Sequence, residues 1–461
     1  MASGAVIDIP ALIEARPVGR FQYGVAALCA LTVFLDGFDT QSIAFVAPSI
    51  VKDWHIARPA LAPIFSASLV GLLVGALLFG PVADKVGRRT VIMICTAIFG
   101  VMTLVTAFSS GVTELLIFRF ITGVGLGGAM PNAIALTAEY CPQRRRATLV
   151  MVMFTGFSLG GFVGGMAAGF LIEDFGWRSV WYVGGALPLL LLPMQYRALP
   201  ESIRFLVVAN APGDTTRGDT IARLLRRIAP DVAIAQGTRF DIGEQRAHGV
   251  PVVDLFHDRR SWGTACLWIM FFLNLLDLFF VQNWLPTLTN AEGIALRTSV
   301  FIGALFQLGG VMAAPVIGLL VDRFGGCRVL PVLYGAGGLV IALLGQAGAS
   351  VPVLTVLTFG AGACVVGAQN SANALAAMFY PTAIRATGVG WSLGIGRIGA
   401  IIGPLLAGFL LSLQWPTGSI FLLGGLPLAG AMAAALVMGR LYGADPGGRA
   451  AARLPAARAT V

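Results

Sequence analysis

The sequence predicts an all-α membrane protein whose twelve transmembrane helices form two pseudo-symmetric six-helix bundles. Its 461 residues are 57% hydrophobic and only 11% charged, whereas a soluble domain carries roughly 25% charged residues. Apolar runs of about 20 residues, the length that crosses a bilayer, recur twelve times. The chain also repeats itself after about 238 residues. The net charge of +9 does not indicate nucleic acid binding, because the basic residues lie in short loops between apolar runs.

The predicted spans fall into two sets of six. The sets define bundles at 21–198 and 261–441, a central loop at 199–260, and tails at 1–20 and 442–461. Many spans are rich in glycine, which lets helix backbones approach closely in lipid. The twelve predicted spans are 21–48, 60–83, 89–110, 113–140, 147–172, 177–198, 261–286, 297–321, 327–348, 351–380, 384–412 and 417–441.

The distribution of Lys and Arg predicts the orientation of these helices, because cytoplasmic loops are enriched in both residues. We therefore expect both termini and the central loop to lie in the cytoplasm. Nine basic residues mark the cytoplasmic side, namely Lys85, Arg88, Arg89, Arg144, Arg145, Arg146, Arg323, Arg328 and Arg385. Four lie on the opposite side, namely Lys52, Arg58, Arg178 and Arg297.

The central loop contains one amphipathic segment, Thr220–Ile228. Its apolar residues at 221, 224, 225 and 228 fit one face of a helix, with arginines opposite. Such a helix can lie on a membrane surface. A simple linker helix fits the same pattern equally well, and the sequence does not separate the two interpretations.

The internal repeat separates residues that occur at equivalent positions in both halves from residues that occur in only one half. Asp39 returns as Asp277, and Asp36 aligns with Asn274. Two six-helix halves in parallel repeat place a substrate site near the bilayer midplane, between the halves. Arg119 aligns with Thr358, and Arg397 aligns with Ser158. Because each arginine occurs in only one half, both are better candidates for a role in the transport mechanism than for a structural role in the shared helix scaffold.

Five stretches carry a resemblance to a known family. Gly80–Arg89, which reads GPVADKVGRR, and Arg119–Pro131 resemble the loop 2–3 and fourth-helix motifs of the major facilitator superfamily. Leu35–Thr40 (LDGFDT), Leu199–Leu206 and Ile384–Arg397 resemble the aromatic acid:proton symporter family within it. The resemblance implies a bacterial inner-membrane transporter for acids of the 4-hydroxybenzoate, protocatechuate or benzoate type. The second copy of the loop motif lacks the double arginine, so gating at that loop is expected to depend less on charge.

Asp36, Asp39 and Arg119 are the predicted proton-coupling residues. The two acids lie three residues apart, on nearly the same face of the first span. Close acids in a low dielectric favour the protonated form, which suits a proton carrier. Arg119 stays charged and can pair with the acids or with a substrate carboxylate. A purely structural ion pair is the alternative for all three residues.

Arg397 is the predicted anchor for a substrate carboxylate, because its planar guanidinium matches that group. Gln369 and Asn373 share one helix face and could hydrogen-bond a ring hydroxyl. Phe38 and Trp391 could flank an aromatic ring. Contacts between helices, or at the membrane interface, are the alternative roles for these four.

A cytoplasmic charge network is the predicted gate, which holds one conformation closed without touching substrate. Alternatively, these charges only set the orientation of the helices in the membrane. The predicted gating residues are Asp84, Arg88, Arg89, Glu139, Arg145, Arg146 and Asp322.

The function expected from these features is proton-coupled import of small aromatic carboxylates by a monomer in the bilayer, with no metal or cofactor. A symporter for a sugar acid or dicarboxylate, or an efflux antiporter, would use the same fold. A membrane-embedded enzyme is disfavoured, because no histidine lies in any predicted span. A chemoreceptor is disfavoured because the chain has no signalling domain, only a central loop of about sixty residues.

Overall fold

A computed structural model describes residues 6–208, 215–232, 238–242, 252–257, 260–381 and 384–443. The first half contains α1 (Ile9–Glu14), α2 (Arg20–Trp54), α3 (Leu61–Val86), α4 (Arg88–Thr106), α5 (Val112–Tyr140), α6 (Gln143–Phe175) and α7 (Arg178–Ala198), then the short α8 (Ile203–Val208) and α9 (Thr215–Ile228). The second half contains α10 (Ser261–Ala291), α11 (Leu296–Phe324), α12 (Gly326–Leu344), α13 (Val351–Phe379), α14 (Arg385–Ser412), α15 (Thr417–Gly424) and α16 (Leu426–Tyr442). Two short strands, β1 (Val6–Asp8) and β2 (Arg239–Asp241), and 3-10 turns at Arg58–Ala60 and Val252–Phe256 complete the described elements.

The long helices follow the predicted spans in order, with α15 and α16 together forming the last. Among the described residues, eleven spans are long and apolar enough to cross a membrane. The twelfth, α7, is long enough, but tryptophan, tyrosine, glycine and proline dilute its leucines. The predicted end of the first span at residue 48 is too early, since Pro48 lies inside α2 and the helix continues to Trp54. Transmembrane helices tolerate internal proline, because neighbouring groups satisfy the freed backbone.

The helices pack into two compact units whose limits differ from those of the sequence repeat. One unit comprises the described residues within Met1–Thr40, Val70–Gly161 and Arg178–Ala247. The other comprises those within Gln41–Leu69, Phe162–Trp177 and His248–Val461. The second unit therefore includes parts of α2, α3 and α6 together with the whole C-terminal repeat. The division into bundles at 21–198 and 261–441 stays a prediction.

Within the second unit, those first-half segments pack closely against α10, α11 and α14. The Ser66 hydroxyl donates to the Ile401 carbonyl at 2.8 Å. The rings of Phe65 and Trp284 meet edge to face with centroids 5.3 Å apart. Arg297 forms a salt bridge of 3.0 Å with Glu173. These segments of the first half therefore belong to the same compact unit as the C-terminal helices.

The N-terminal segment is ordered against the central loop rather than being a plain tail. β1 pairs with β2 in parallel, with Val6 opposite Arg239. The Asp8 carboxylate accepts from the Ala11 amide at 2.9 Å and caps α1. Arg16 forms a bidentate ion pair with Asp231. We name this arrangement, Val6–Arg16 against Asp231 and β2, the N-terminal clasp.

The amphipathic helix α9 covers the same region of the first unit. The predicted helix at 220–228 is confirmed and begins earlier, at Thr215. Its apolar residues Ile221 and Leu225 are fully buried and pack in a core cluster with Ile9 and Tyr140. Because protein covers this face, it cannot insert into a membrane surface. The structure favours the linker-helix interpretation.

Candidate functional site

A buried ion pair between Asp39 and Arg119 forms the centre of the first unit. Both side chains are fully buried. The Arg119 Nη1 group donates to Asp39 Oδ2 at 2.9 Å and to Oδ1 at 3.2 Å. Its Nη2 group donates to the backbone carbonyl of Asp39 at 3.3 Å. Burying a charged carboxylate is costly unless a cation and hydrogen bonds compensate it, and Arg119 supplies both.

Two further residues contact this pair, and neither could be predicted from the sequence. The Thr103 hydroxyl of α4 donates to Asp39 Oδ1 at 2.6 Å. The Arg119 guanidinium lies over the Trp181 ring of α7, 5.0 Å from its centroid, within the range of a cation–π contact. Nothing in the sequence marked Thr103, and Trp181 was one apolar residue among many. The pair is therefore held by four helices, α2, α4, α5 and α7.

Asp36 lies one turn earlier on α2 and is only 1% exposed. The Thr40 hydroxyl donates to its Oδ1 atom at 3.1 Å. The structure thus places both predicted acids in the interior of the first unit. Asp39 bonds to Arg119, and Asp36 accepts a hydrogen bond from a hydroxyl.

Gly37 explains why this segment of α2 has the sequence Asp-Gly-Phe-Asp. A Cβ atom at position 37 would overlap the carbonyl oxygen of Phe157 on α6. Gly160 meets the Phe34 carbonyl in the same way. Two glycines therefore let the backbones of α2 and α6 touch, as small residues do in membrane helix packing. The close crossing fixes the helix that carries both acids.

In the second unit, a chain of amides links α10 to α13. Asn274 Nδ2 donates to Gln369 Oε1 at 2.8 Å and to the Val365 carbonyl at 3.3 Å. Gln369 Nε2 donates to Asn373 Oδ1 at 3.2 Å. Arg397 lies in the interior of α14 and is half-buried. The predicted amides thus bond to one another, and Asn274, the repeat partner of Asp36, joins them.

The two predicted aromatic residues have different surroundings. Phe38 is 4% exposed and packs near Gly184 of α7. Trp391 is 43% exposed and stacks on Trp268, with ring centroids 6.0 Å apart. Phe38 is therefore part of the core around the ion pair. Trp391 belongs to an aromatic surface stack, and its role in substrate binding stays a prediction.

Three of the predicted gating residues meet at the N-terminus of α4. Arg88 Nε forms a salt bridge with Glu139 Oε1 at 2.8 Å. The Ser202 hydroxyl donates to Glu139 Oε2 at 2.5 Å. Arg89 bonds to the Tyr196 carbonyl through its side chain. A charged network does form on the side of the molecule that is predicted to be cytoplasmic.

Glu201 is the central acceptor of this network, and no role had been predicted for it. Its Oε1 atom accepts from the Arg89 amide at 3.0 Å and from the Ser202 amide at 2.8 Å. It thereby caps α4, where the helix dipole favours a negative charge. Gly87 has a φ of +97° and passes so close to Glu201 that a side chain would clash. The stretch Leu199–Leu206, which contains Glu201, resembles the family but does not by itself predict this contact.

The remaining predicted gating residues lie outside this network. Asp84, Arg145, Arg146 and Asp322 are all exposed. Within the described part of the chain, no salt bridge reaches Asp84 or Asp322. Their role in gating stays a prediction. The described residues also contain no cluster of three His, Cys, Asp or Glu side chains that could hold a metal ion.

Comparison with known proteins gives the same picture for most of the chain. The sequence model described as "Major Facilitator Superfamily" matches residues 29–310 and 267–459. A gallate transporter of Pseudomonas putida is 42% identical, over 94% of this chain and 96% of that protein. The 4-hydroxybenzoate transporter PcaK of Pseudomonas aeruginosa is 43% identical, over 96% and 98%. A benzoate transport protein of Acinetobacter baylyi is 34% identical, over 91% and 90%.

Solved structures show the same fold at low sequence identity. A D-xylose-proton symporter superposes with a TM-score of 0.66 and 18% identity, covering 88% of this chain and 97% of that one. The nucleoside transporter NupG superposes with a TM-score of 0.68 and 15% identity, covering 91% and 100%. At this identity the likeness concerns the arrangement of helices and not the substrate. It agrees with the fold class predicted from hydropathy and the internal repeat.

Proposed function

The chain belongs to the major facilitator superfamily and is a multi-pass membrane transporter rather than an enzyme, and from that premise we propose that it imports small aromatic carboxylates together with protons. The aromatic carboxylate class is supported by the relatives, whose names specify gallate, 4-hydroxybenzoate and benzoate. Proton coupling is supported by the buried pair of Asp39 and Arg119. The proposed location is the inner membrane of a bacterium, with both termini in the cytoplasm and a monomer as the working unit.

The ion pair carries the proposal because it couples a proton to an anion. A proton that binds Asp39 neutralises the carboxylate and leaves Arg119 buried without its counter-charge. An uncompensated buried charge is costly, so the protein then favours a state in which another anion compensates the arginine. A substrate carboxylate is such an anion: its negative charge favours the buried cation through the low-dielectric interior without a direct bond to Arg119, while its direct anchor is proposed to be Arg397. Proton and substrate therefore stabilise the same loaded state, which is the requirement for symport by alternating access.

The substrate itself is proposed to bind through Arg397 and the amides of α13. Arg397 can hold a carboxylate with two parallel hydrogen bonds. The amide groups of Gln369 and Asn373 already bond to one another, so they can exchange that bond for one to a ring hydroxyl. Asp36, with its Thr40 partner, is a second acid close to the pair. Phe38 supports the same helix segment from within the core.

Uptake into proteoliposomes tests this proposal. With an alkaline interior and an acidic exterior, labelled 4-hydroxybenzoate should accumulate, and a protonophore should abolish the accumulation. Unlabelled benzoate and gallate should compete, whereas a sugar acid and a dicarboxylate should not. Accumulation that persists undiminished with the protonophore would rule out proton symport. Competition by the sugar acid or dicarboxylate alone would assign a different substrate class.

A further inference from the structure

Asp277 is a second buried acid in the interior of the protein, and nothing in the proposed mechanism uses it so far. It lies on α10 and is fully buried. Neither of its carboxyl oxygens has a hydrogen-bond partner among the described residues. Buried polar groups are normally paired, so an unpaired acid inside a membrane helix is a functional candidate.

The internal repeat shows what this acid lacks. Asp277 occupies the position of Asp39, but the position of Arg119 is Thr358, whose hydroxyl also has no partner within the described residues. The position of Thr103 is the apolar Ile341. The second half therefore keeps the acid and lacks both groups that stabilise its ionised form in the first half.

Charged groups on the helices packed around α10 do not replace that arginine. Arg397, in the interior of α14, is not level with the acid. Gly403 of α14 packs on the Leu276 carbonyl, and Arg397 comes six residues earlier, about 9 Å along the helix. Among described residues, none forms a salt bridge with Asp277. The charged or titratable side chains on the packed elements are Arg297, Asp322 and Arg323 of α11, Cys364 of α13, Arg385 and Arg397 of α14, Arg440 and Tyr442 of α16, and Asp254 of the adjoining 3-10 turn.

An isolated carboxylate in such a place would be far more costly than the neutral acid. We propose that Asp277 is a proton-binding site of the C-terminal half, protonated in the buried state seen here and emptied when the transport cycle admits water to it. In the release step, the carboxyl O–H bond breaks and the proton passes to a water molecule, leaving a hydrated carboxylate. No other group is oxidised, reduced or transferred. This inference rests on the proposed symport and adds a second proton to it.

Accumulation measured at a clamped membrane potential tests the proposal. With no electrical gradient, each coupled proton raises the equilibrium accumulation ratio tenfold per unit of pH difference, since one pH unit is equivalent to about 1.36 kcal/mol. Asp277→Asn replaces the neutral acid with an amide of the same shape that cannot release a proton. At a difference of one pH unit, this variant should accumulate about tenfold less 4-hydroxybenzoate, while exchange of labelled for unlabelled substrate at equal pH stays within about twofold. Unchanged accumulation would overturn the proposal.

The matched control is Glu292→Gln, the same acid-to-amide change at the exposed end of α10. It should leave both accumulation and exchange as in wild type, and a tenfold loss in this control would also count against Asp277. Infrared spectroscopy of the purified protein gives a reading that does not depend on transport. A neutral carboxylic acid band that is present in wild type and in Glu292→Gln should be lost in Asp277→Asn, where it appears as a negative band in the difference spectrum against wild type.

The two measurements separate the possible failures. If Asp277→Asn loses substrate exchange as well as accumulation, transport cannot test the proposal and the infrared measurement does so instead. Loss of the neutral carboxylic acid band in this variant supports a protonated Asp277, and an unchanged band overturns the proposal. A wild-type protein that accumulates no aromatic acid would overturn the proposed function, while the infrared test of Asp277 would still stand.

Discussion

The ion pair of Asp39 and Arg119 predicts an asymmetric double-mutant cycle. Asp39→Asn leaves Arg119 buried without its counter-ion, and an arginine cannot lose its charge. Breaking a buried pair in this way costs about 3–5 kcal/mol of the free energy of unfolding. The cost should lie near about 3 kcal/mol, because an amide oxygen can still accept from Arg119 and Thr103, as Asp39 does now.

Removing the arginine instead should cost less. In Arg119→Leu, the remaining acid can take up a proton and become neutral, and the Thr103 hydroxyl remains beside it. The double variant Asp39→Asn/Arg119→Leu removes both charges of the pair, so it should be more stable than Asp39→Asn alone. Replacing both partners of a buried pair is often neutral or stabilising. Asp174→Asn, an exposed acid on α6, is the control and should stay within about 0.5 kcal/mol of wild type.

Chemical unfolding in detergent, followed by tryptophan fluorescence, measures these differences. Trp181 is well placed as a reporter, because its ring lies 5.0 Å from the Arg119 guanidinium carbon. Transport need not follow the order of stability. Asp39→Asn should lose accumulation, although the variant protein should still insert into the membrane and bind substrate. If the costs of the two single variants add up in the double variant, Asp39 and Arg119 are not coupled and the reasoning fails. Active accumulation by Asp39→Asn would move the proton carrier elsewhere.

Three further predictions concern other parts of the molecule. Arg397→Lys keeps the charge but loses the bidentate fork, so its preference for benzoate over neutral benzamide, measured by competition, should largely disappear; an unchanged preference would assign the anchor to another residue. Asp84→Asn should slow transport and raise cysteine accessibility on the cytoplasmic side, while substrate affinity stays within a few-fold of wild type. Normal transport with unchanged accessibility would show that the charges of this loop set only the membrane orientation and do not act as a gate. Hydrogen bonding from Arg16 lowers the pKa of Asp231, so this bond stabilises the N-terminal clasp above the ordinary pKa of an aspartate, and the stabilisation is lost as pH falls from there through the lowered pKa. The protection of the β1 amides, which is their exchange rate corrected for the intrinsic rate at each pH, should therefore fall at acidic pH in wild type. In Asp231→Asn the protection should be low at every pH.

Much of the fold could be predicted because the bilayer imposes simple rules on the sequence. Apolar runs of sufficient length mark the helices, and the internal repeat adds their arrangement. Hydropathy alone was least informative at α7, whose polar and aromatic residues serve the ion pair and the packing around it. The helix ends were also uncertain, since a proline such as Pro48 does not end a helix inside a membrane protein.

The candidate site could be predicted only in part, because sequence identifies charges in the membrane and not their partners. Asp39 and Arg119 were both found, since each is costly in an apolar span. Thr103 and Glu201 were not, because a threonine in a span and a glutamate in a loop carry no comparable cost. Their roles depend on which helices meet, and only the structure shows that Thr103 reaches Asp39 and that Glu201 caps α4.

The repeat and the structure together explain how two equivalent acids acquire different chemistry. The scaffold supplies an aspartate at the same position in each half, Asp39 and Asp277, but an arginine beside only one of them. Arg119 therefore pairs with the carboxylate of Asp39, whereas Asp277 is buried without a hydrogen-bond partner among the described residues, and burial alone favours the neutral form of an acid. In the proposed mechanism, a single conformation thus holds Asp39 charged and Asp277 protonated. Any motion that hydrates these positions will change Asp277 more than Asp39, because water replaces no existing bond there.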